Sequence, residues 1–149
     1  TPSPSPRMEL LHVGSLGPHH PRRRELVETL LKRQRVPFRH ATTTNADEAA
    51  KLYAKYALVL NVPLNHDLNH RLFEVMAAGV PQVIFGHPSL VGDKSVLNKR
   101  PDLFWAQSIE DLEALVKQLF IKFKKQQTPR VDAPPYWELK ELLKMALAF

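Results

Sequence analysis

The chain has 149 residues, which suits one domain with a sizeable core, and its 44% hydrophobic and 24% charged residues are ordinary for a globular protein. Its lack of cysteine excludes disulfides, thiolate metal sites and a cysteine nucleophile. The 21 lysines and arginines outnumber 15 acidic residues, and the net charge of +6 favours nucleotides, nucleic acids or anionic membranes as partners. Since no apolar run has the length of a membrane span and no secretory signal begins the chain, we expect a cytoplasmic setting and no membrane span.

The beginning of the chain is predicted to be a tail followed by a strand. Residues 1–7 are rich in proline and serine and indicate a linker, so that a single domain spans residues 8–149. Because the chain does not begin with methionine, we expect it to be part of a longer protein. The apolar residues of 8–15 suit a first strand, which the turn beginning at Gly14 and Ser15 ends.

Two helices and a strand are predicted next. The first helix begins at Pro21, since proline is tolerated at the first helical position. Its apolar face contains Leu26, Val27, Leu30 and Leu31. Residues 36–43 suit a second strand. Asn45 is expected to cap the following helix, with Glu48 reaching back to the cap, and this helix is predicted to continue through Tyr56.

The centre of the chain is predicted to form a strand, a polar loop, a short helix and a second strand. The apolar run 57–64 lacks alternation, as expected for a strand buried on both faces of a parallel sheet. The loop 65–69 leads into a helix over residues 69–78, and the strand 82–85 follows. Ligands of open α/β sheets bind where strands end and helices begin, so this loop is a candidate site.

The last third of the chain completes the alternation of strands and helices. Residues 103–106 suit a short strand, and Ser108 is expected to cap a helix with Asp111 at its third position. The apolar face of that helix contains Leu112, Leu115, Val116, Leu119 and Phe120. A last helix is predicted over residues 138–149. The alternation predicts an α/β fold, a Rossmann-like three-layer sandwich in which a parallel sheet of about five strands is flanked by helices.

The helix predicted over residues 69–78 carries the strongest candidate for a phosphate contact. A helix N-terminus presents unpaired N–H groups and partial positive charge, which suit an anion. Arg71 adds a guanidinium in the first turn, able to bind phosphate oxygens in bidentate fashion. Glu74 lies three residues on, where its carboxylate can accept hydrogen bonds from ribose hydroxyls or form an ordinary surface ion pair with Arg71.

The run NHRLFEVMAAGVPQVI resembles the donor-site segment of group 1 glycosyltransferases with the B-type, two-Rossmann-domain fold. The match carries, in order, Arg71, Phe73, Glu74, Ala78, Gly79 and Pro81. It is most similar to the spore-maturation-protein-like branch, in which Arg-x-Phe-Glu replaces a pair of glutamates. The resemblance implies that the chain is the C-terminal domain, which binds the nucleotide half of a nucleotide-sugar, and that Glu74 contacts the ribose.

One position departs from the commoner pattern of that family. A glutamate that contacts the sugar is expected eight residues before the ribose-binding one, and His66 stands there, with Asp67 beside it. The identity of the sugar therefore does not carry over. His66 and Asn69 are nevertheless candidate donor contacts, with capping of the helix by Asp67 or Asn69 as the alternative.

The end of the first predicted strand is a second candidate site. Gly14 and Ser15 allow backbone amides to approach a diphosphate closely, just before a helix begins. The resemblance implies a basic residue near that helix start, and we assign this role to Arg24, with Arg22 and Arg23 as competitors. Cations at a helix N-terminus oppose its dipole, and an anionic ligand would offset that mismatch.

Histidines and basic clusters supply the remaining candidates. His87 is a candidate contact to the diphosphate or sugar of the donor. We expect no metal site, because the histidines near this sheet edge lack a metal-binding spacing. The basic clusters 22–24, 32–35 and 122–125 would suit nucleic acid, but no recognition motif or interleaved aromatic residues accompany them. Nucleic acid is therefore not the expected partner.

The resemblance implies a retaining glycosyltransferase that transfers a sugar from a UDP-sugar or GDP-sugar to an unknown acceptor. No cofactor is expected besides this donor substrate, and an N-terminal acceptor-binding domain is expected to precede the chain. The chain alone should bind nucleotide but have little transferase activity. Two alternatives stay open: a non-catalytic Rossmann-like interaction module, which His66 favours, and a basic nucleic-acid-binding domain.

Overall fold

The computed structural model describes residues 5–17, 19–63, 70–87 and 100–126. Within these residues five strands alternate with four helices. In chain order they are β1 (Arg7–Val13), α1 (Pro21–Arg33), β2 (Phe38–Ala41), α2 (Ala46–Tyr53), β3 (Tyr56–Asn61), α3 (His70–Ala77), β4 (Gln82–Phe85), β5 (Leu103–Ala106) and α4 (Ile109–Lys125). The helix predicted over residues 138–149 lies outside the described residues.

The five strands form one parallel sheet in the order β2-β1-β3-β4-β5. Leu10 of β1 is in register with Phe38 of β2 on one side and with Leu58 of β3 on the other. All six residues of β3 are buried, as expected for a central strand that is covered on both faces. The predicted α/β, Rossmann-like arrangement with a five-stranded parallel sheet flanked by helices is confirmed.

Helices cover both faces of the sheet. Leu30 of α1 and Val116 of α4 belong to a core cluster on one face. Tyr53 of α2 and Val75 of α3 belong to a second cluster on the opposite face. Successive residues of β3 contribute to both clusters, because side chains of a strand point alternately to its two faces. The helices α1 and α3 therefore flank the sheet from opposite sides, which positions the site described below.

Two predicted helix caps are confirmed. The Oδ1 atom of Asn45 accepts a 2.9 Å hydrogen bond from the backbone N–H of Glu48 at the start of α2. The Oγ atom of Ser108 accepts a 3.1 Å hydrogen bond from the backbone N–H of Asp111 at the start of α4. The carboxylate of Glu48 turns to the backbone N–H of Thr44, one residue before the cap, and accepts a 2.9 Å hydrogen bond from it. Each cap satisfies a donor that the first turn leaves free.

Several element boundaries differ from the predicted ones. The helix α2 ends at Tyr53, and Tyr56 is the first residue of β3 rather than the last residue of the helix. The prediction extended the helix because a buried tyrosine fits the apolar pattern of either element. The strand β3 ends at Asn61 rather than at residue 64. The strand β1 begins inside the predicted linker, where the backbone N–H of Arg7 donates a 2.9 Å hydrogen bond to the carbonyl of Lys55. The strands β4 and β5 have their predicted bounds.

Candidate functional site

The ends of β1 and β3 form the part of the sheet edge where a ligand crevice is expected. These strands are neighbours, and the helices that follow them, α1 and α3, pack on opposite faces. Connections that leave adjacent parallel strands toward opposite faces open a gap beyond the carboxyl ends of the strands. The predicted loop after β3 contains the candidates His66 and Asn69, which lie outside the described residues.

Two arginines reach over this gap from opposite sides. The Nη2 atom of Arg23, in the first turn of α1, donates a 3.2 Å hydrogen bond to the carbonyl of Val62, just beyond β3. The Nη1 atom of Arg71, near the start of α3, donates to the carbonyl of Val13, the last residue of β1. Each arginine is thus anchored to the strand that precedes the other's helix, and both guanidiniums lie at the strand ends.

The point where the two guanidiniums converge is Gly14. A Cβ atom added there would lie 3.3 Å from Nη1 of Arg23 and 3.7 Å from Nη2 of Arg71. It would also lie 3.5 Å from Cε1 of His12. The backbone of Gly14 has φ +150°, a conformation that side-chain-bearing residues rarely adopt. Glycine is therefore favoured here by the backbone conformation, and a Cβ atom would be tight against the guanidinium of Arg23.

Arg23 is a buried cation with an incomplete set of partners. Its side chain is only 7% exposed, and its Nε atom has no hydrogen-bond partner in the described part of the chain. Burial lowers the pKa of Arg23, and the neighbouring charge of Arg71 lowers it further. No carboxylate of the described residues forms an ion pair with Arg23 or with half-buried Arg71. Among the described residues, the crevice therefore holds two cations without a carboxylate ion pair and one unpaired N–H donor, which suit an anion.

A comparison with known protein families identifies the family to which the chain belongs. A family model described as glycosyl transferase-like matches residues 11–127, which extend from within β1 to the end of α4. The chain belongs to the glycosyl transferase-like family. That membership supports a general role in glycosyl transfer. No curated protein matches the chain at a significant level.

A pair of histidines lies under the arginines of this glycosyl transferase-like chain. His12 of β1 and His40 of β2 are aligned in register, and their rings stack with centroids 5.1 Å apart. Their Nδ1 atoms lie 3.0 Å apart, a hydrogen bond in which one imidazole donates and the other accepts. Burial lowers the pKa of His12 to about 3, with His40, Arg23 and Arg71 adding to the effect. His12 is therefore neutral at physiological pH and leaves the positive charge of the crevice to the arginines.

The three consecutive arginines of α1 point in different directions. Arg22 places its guanidinium 5.5 Å from the ring centroid of Phe85. Arg24, to which we assigned the basic role, is exposed and forms a 2.8 Å ion pair with Glu28 one turn along the helix. Arg23 is the member directed into the crevice. The role of Arg24 toward a ligand stays a prediction, and Arg23 is the alternative that the geometry favours.

Two further candidates lie at the rim of the sheet edge. Ser15 is exposed, and its Oγ atom accepts a 3.2 Å hydrogen bond from the backbone N–H of Gly17, within its own turn. His87 is exposed just after β4. The roles of Ser15 and His87 toward a donor stay predictions.

Glu74 opens onto a cleft beside α2. It is half-buried and lines a space of about 510 Å³, together with Ala50, Lys51, Ala54, Lys55, Ala77 and Ala78. Within the residues that the structure describes, Glu74 does not form the ordinary ion pair with Arg71 that we considered as an alternative. The carboxylate is thus accessible, and its contact with a ribose stays a prediction.

The structure adds Tyr53 to the residues around Arg71. The Nη1 atom of Arg71 donates a 3.0 Å hydrogen bond to the hydroxyl of Tyr53, the last residue of α2. The sequence gives no signal for this contact, since the spacing of Tyr53 is that of an ordinary core residue. Among the described residues, no helix is long and apolar enough to cross a membrane, and no three metal-ligating side chains form a cluster.

Proposed function

We propose that the chain binds the nucleoside-diphosphate part of a nucleotide-sugar and forms the donor-binding half of a retaining glycosyltransferase with the B-type fold. The observation that carries the proposal is the meeting of Arg23 and Arg71 at Gly14 with no carboxylate of the described residues to neutralise them. The two guanidiniums supply charge and N–H donors, and the missing side chain of Gly14 leaves room for phosphate oxygens to approach.

A bound diphosphate would lower the electrostatic cost of placing two guanidiniums side by side. Burial disfavours the charge of Arg23, and the like charge of Arg71 repels it. An anion between the two guanidiniums reverses both effects. The first turn of α1 adds a second unfavourable effect. It holds basic residues and no acidic one, whereas the helix dipole favours negative charge at a helix N-terminus. An anion at this helix start would offset that mismatch as well.

Glu74 supplies a second and separable contact in this proposal. Its carboxylate would accept hydrogen bonds from the ribose hydroxyls, while the arginines hold the diphosphate. A nucleotide would use both contacts, whereas inorganic pyrophosphate would use only the arginines. The effect of a Glu74 substitution on nucleotide relative to pyrophosphate therefore reports on the ribose contact.

The same arrangement would assist sugar transfer. When the bond between the sugar carbon and the phosphate oxygen breaks, negative charge develops on the leaving nucleoside diphosphate. Arg23 and Arg71 lie where they would stabilise that charge, as fixed donors in a partly dehydrated site. The acceptor would be bound by an N-terminal domain, so the chain is expected to bind donor without turning it over. The remaining proposed donor contacts are Ser15, His66, Asn69 and His87, and Arg23 takes the basic role first assigned to Arg24.

Calorimetric titration at low salt with UDP, GDP and pyrophosphate tests the proposal. We expect at least one nucleotide to bind, and Arg71→Gln to weaken both the nucleotide and pyrophosphate. Glu74→Gln should weaken the nucleotide by about tenfold, the loss of a charged hydrogen bond, and leave pyrophosphate unchanged. The matched control is Glu28→Gln, which removes an exposed carboxylate from α1.

Three results would contradict the proposal. If none of the ligands bound to the folded chain, a non-catalytic interaction module would be the better assignment. If Glu74→Gln weakened pyrophosphate as strongly as nucleotide, the division of roles would be wrong. If RNA or DNA bound with a steep salt dependence that Glu74→Gln left unchanged, the chain would be a nucleic-acid-binding domain.

A further inference from the structure

Tyr53 is buried in the sheet–helix core, yet its hydroxyl meets a residue of the crevice. Its side chain is 0% exposed and packs in the cluster that also contains Val13 and Val75. The hydroxyl accepts a 3.0 Å hydrogen bond from Nη1 of Arg71. The same Nη1 atom donates to the carbonyl of Val13. One nitrogen of Arg71 is thus hydrogen-bonded both to the backbone of β1 and to the side chain at the end of α2.

This double attachment determines which way the guanidinium faces. A guanidinium is planar and carries five N–H donors in a fixed fork, so holding one nitrogen sets the direction of the others. With Nη1 directed at Tyr53 and Val13, Nη2 is the atom that faces Gly14, 3.7 Å from the Cβ position there. The hydroxyl that orients Arg71 is itself fixed, because the ring of Tyr53 is packed in the core.

The charge state of Tyr53 suits this role. Burial raises the pKa of its hydroxyl, Glu74 raises it as well, and the adjacent guanidinium of Arg71 counteracts them. The phenol is therefore protonated at neutral pH and accepts the hydrogen bond from Arg71 as a neutral group. A neutral acceptor orients the guanidinium without cancelling its charge, which stays available for an anion.

We propose that Tyr53 is a positioning residue, whose hydroxyl holds the guanidinium of Arg71 in the orientation that receives the diphosphate. This inference rests on the proposed function, because it assigns the diphosphate to Arg71. It extends the site to α2, an element that contributes no predicted contact to the ligand. Tyr53 acts through Arg71 and does not touch the ligand itself.

The first test compares Tyr53→Phe with Tyr56→Phe in the 149-residue chain, using pyrophosphate and UDP in calorimetry. Tyr56 is a buried tyrosine of the same core cluster, so its variant controls for loss of a phenol in the core. Tyr53→Phe should weaken pyrophosphate roughly ten- to a hundredfold, the range for one hydrogen bond to a charged group. In an Arg71→Ala background the same substitution should have no further effect. Equal affinity in wild type and Tyr53→Phe, or the same loss in both backgrounds, would overturn the proposal.

The second test does not depend on a ligand. NMR signals of the Arg71 guanidinium should report slow rotation about its Cζ–Nε bond in the wild type and in Tyr56→Phe, and faster rotation in Tyr53→Phe. Unchanged rotation in Tyr53→Phe would overturn the positioning role even if every anion bound. Absence of binding to the wild type would instead defeat the proposed function, and with it the assignment of the diphosphate to Arg71. Thermal unfolding of each variant verifies that the fold is kept.

Discussion

Arg23 and Arg71 each hydrogen-bond the backbone at the end of the strand that precedes the other's helix. Arg23 follows β1 and reaches Val62 beyond β3, whereas Arg71 follows β3 and reaches Val13 at the end of β1. The two side chains therefore extend in opposite directions over the gap between the ends of β1 and β3, and both guanidiniums lie beside Gly14. The crevice therefore owes its charge to two helices on opposite faces of the sheet.

Replacing Arg23 should weaken anion binding without destabilising the fold. Arg23→Met keeps an unbranched apolar stem and removes a buried, incompletely paired cation that lies beside Arg71. We expect the affinity for pyrophosphate to fall by about tenfold or more, while the midpoint of thermal unfolding is unchanged or raised. Calorimetry and circular dichroism measure the two quantities.

Arg24→Met is the matched control for that experiment. Arg24 is the next residue of α1, but it is exposed and paired with Glu28. Its variant should bind pyrophosphate within about twofold of the wild type. A larger loss for Arg24→Met than for Arg23→Met would restore Arg24 as the basic residue of the site.

Gly14→Ala should affect both stability and binding. The φ of +150° is strained for alanine, which costs about 1–3 kcal/mol, and the new methyl group would lie 3.3 Å from Nη1 of Arg23. The guanidinium must shift, so pyrophosphate affinity should fall together with the free energy of unfolding. Gly17→Ala is the control, because its Cβ would meet only the Oγ of Ser15, at 3.4 Å. Wild-type affinity in Gly14→Ala would contradict the close approach of the arginines to this position.

The stability of the fold should decrease as the pH falls below 6.5, in part because of His12. Its pKa is lowered from 6.5 to about 3 by burial and by His40, Arg23 and Arg71. Between these two pH values His12 is protonated in the unfolded chain and neutral in the folded chain. The contribution of His12 is complete above pH 6.5 and is lost progressively as the pH falls toward 3. The slope is at most about 1.4 kcal/mol per pH unit.

Urea unfolding at pH 6.5, 5.75 and 5.0 measures that slope in a range above most carboxylate titrations. His12→Asn should reduce the slope. His19→Asn, which replaces an exposed histidine, should leave it at the wild-type value. An identical slope in His12→Asn and wild type would show that His12 is not the responsible group.

The ion pair between α1 and α4 should matter more to stability than the exposed pair on α1. Nη2 of Arg33 lies 2.9 Å from Oε1 of Glu113, which is buried and whose Oε2 has no partner among the described residues. Arg33→Ala leaves that carboxylate buried and unpaired, so the free energy of unfolding should fall by about 3 kcal/mol. Arg24→Ala, which breaks the exposed pair with Glu28, should change it by less than about 1 kcal/mol. Adding Glu113→Leu should restore much of the loss, and its failure to do so would contradict the electrostatic explanation.

The fold followed from the sequence because local signals and burial agree in it. The apolar run that became β3 lacks alternation, as a strand covered on both faces requires, and Asn45 and Ser108 cap helices where the sequence predicts them. The end of α2 was predicted less well. Tyr53 and Tyr56 are both buried and three residues apart, so the helical pattern continues through a turn that the spacing does not reveal.

The site was predictable in part. Gly14 and Arg71 were identified from a turn and from a motif, and the structure brings them together. Arg23 could have been preferred over Arg24, because it is spaced three and seven residues before Leu26 and Leu30 and therefore lies on the buried face of α1. The contact of Tyr53 with Arg71 could not have been predicted from the sequence. It depends on how α2 and α3 pack against each other, and not on either segment alone.

The crossed hydrogen bonds of the two arginines also bear on how the site forms during synthesis. Arg23 is made early, but its acceptor at Val62 belongs to the segment that follows the third strand, and its counterpart Arg71 comes later still. A nascent chain that ends before α3 contains Arg23 with its acceptor Val62, and also the acceptors Val13 and Tyr53, but it lacks Arg71 itself. In the proposed function, the second guanidinium of the anion site is thus added in a late step, when the third crossover docks on the sheet.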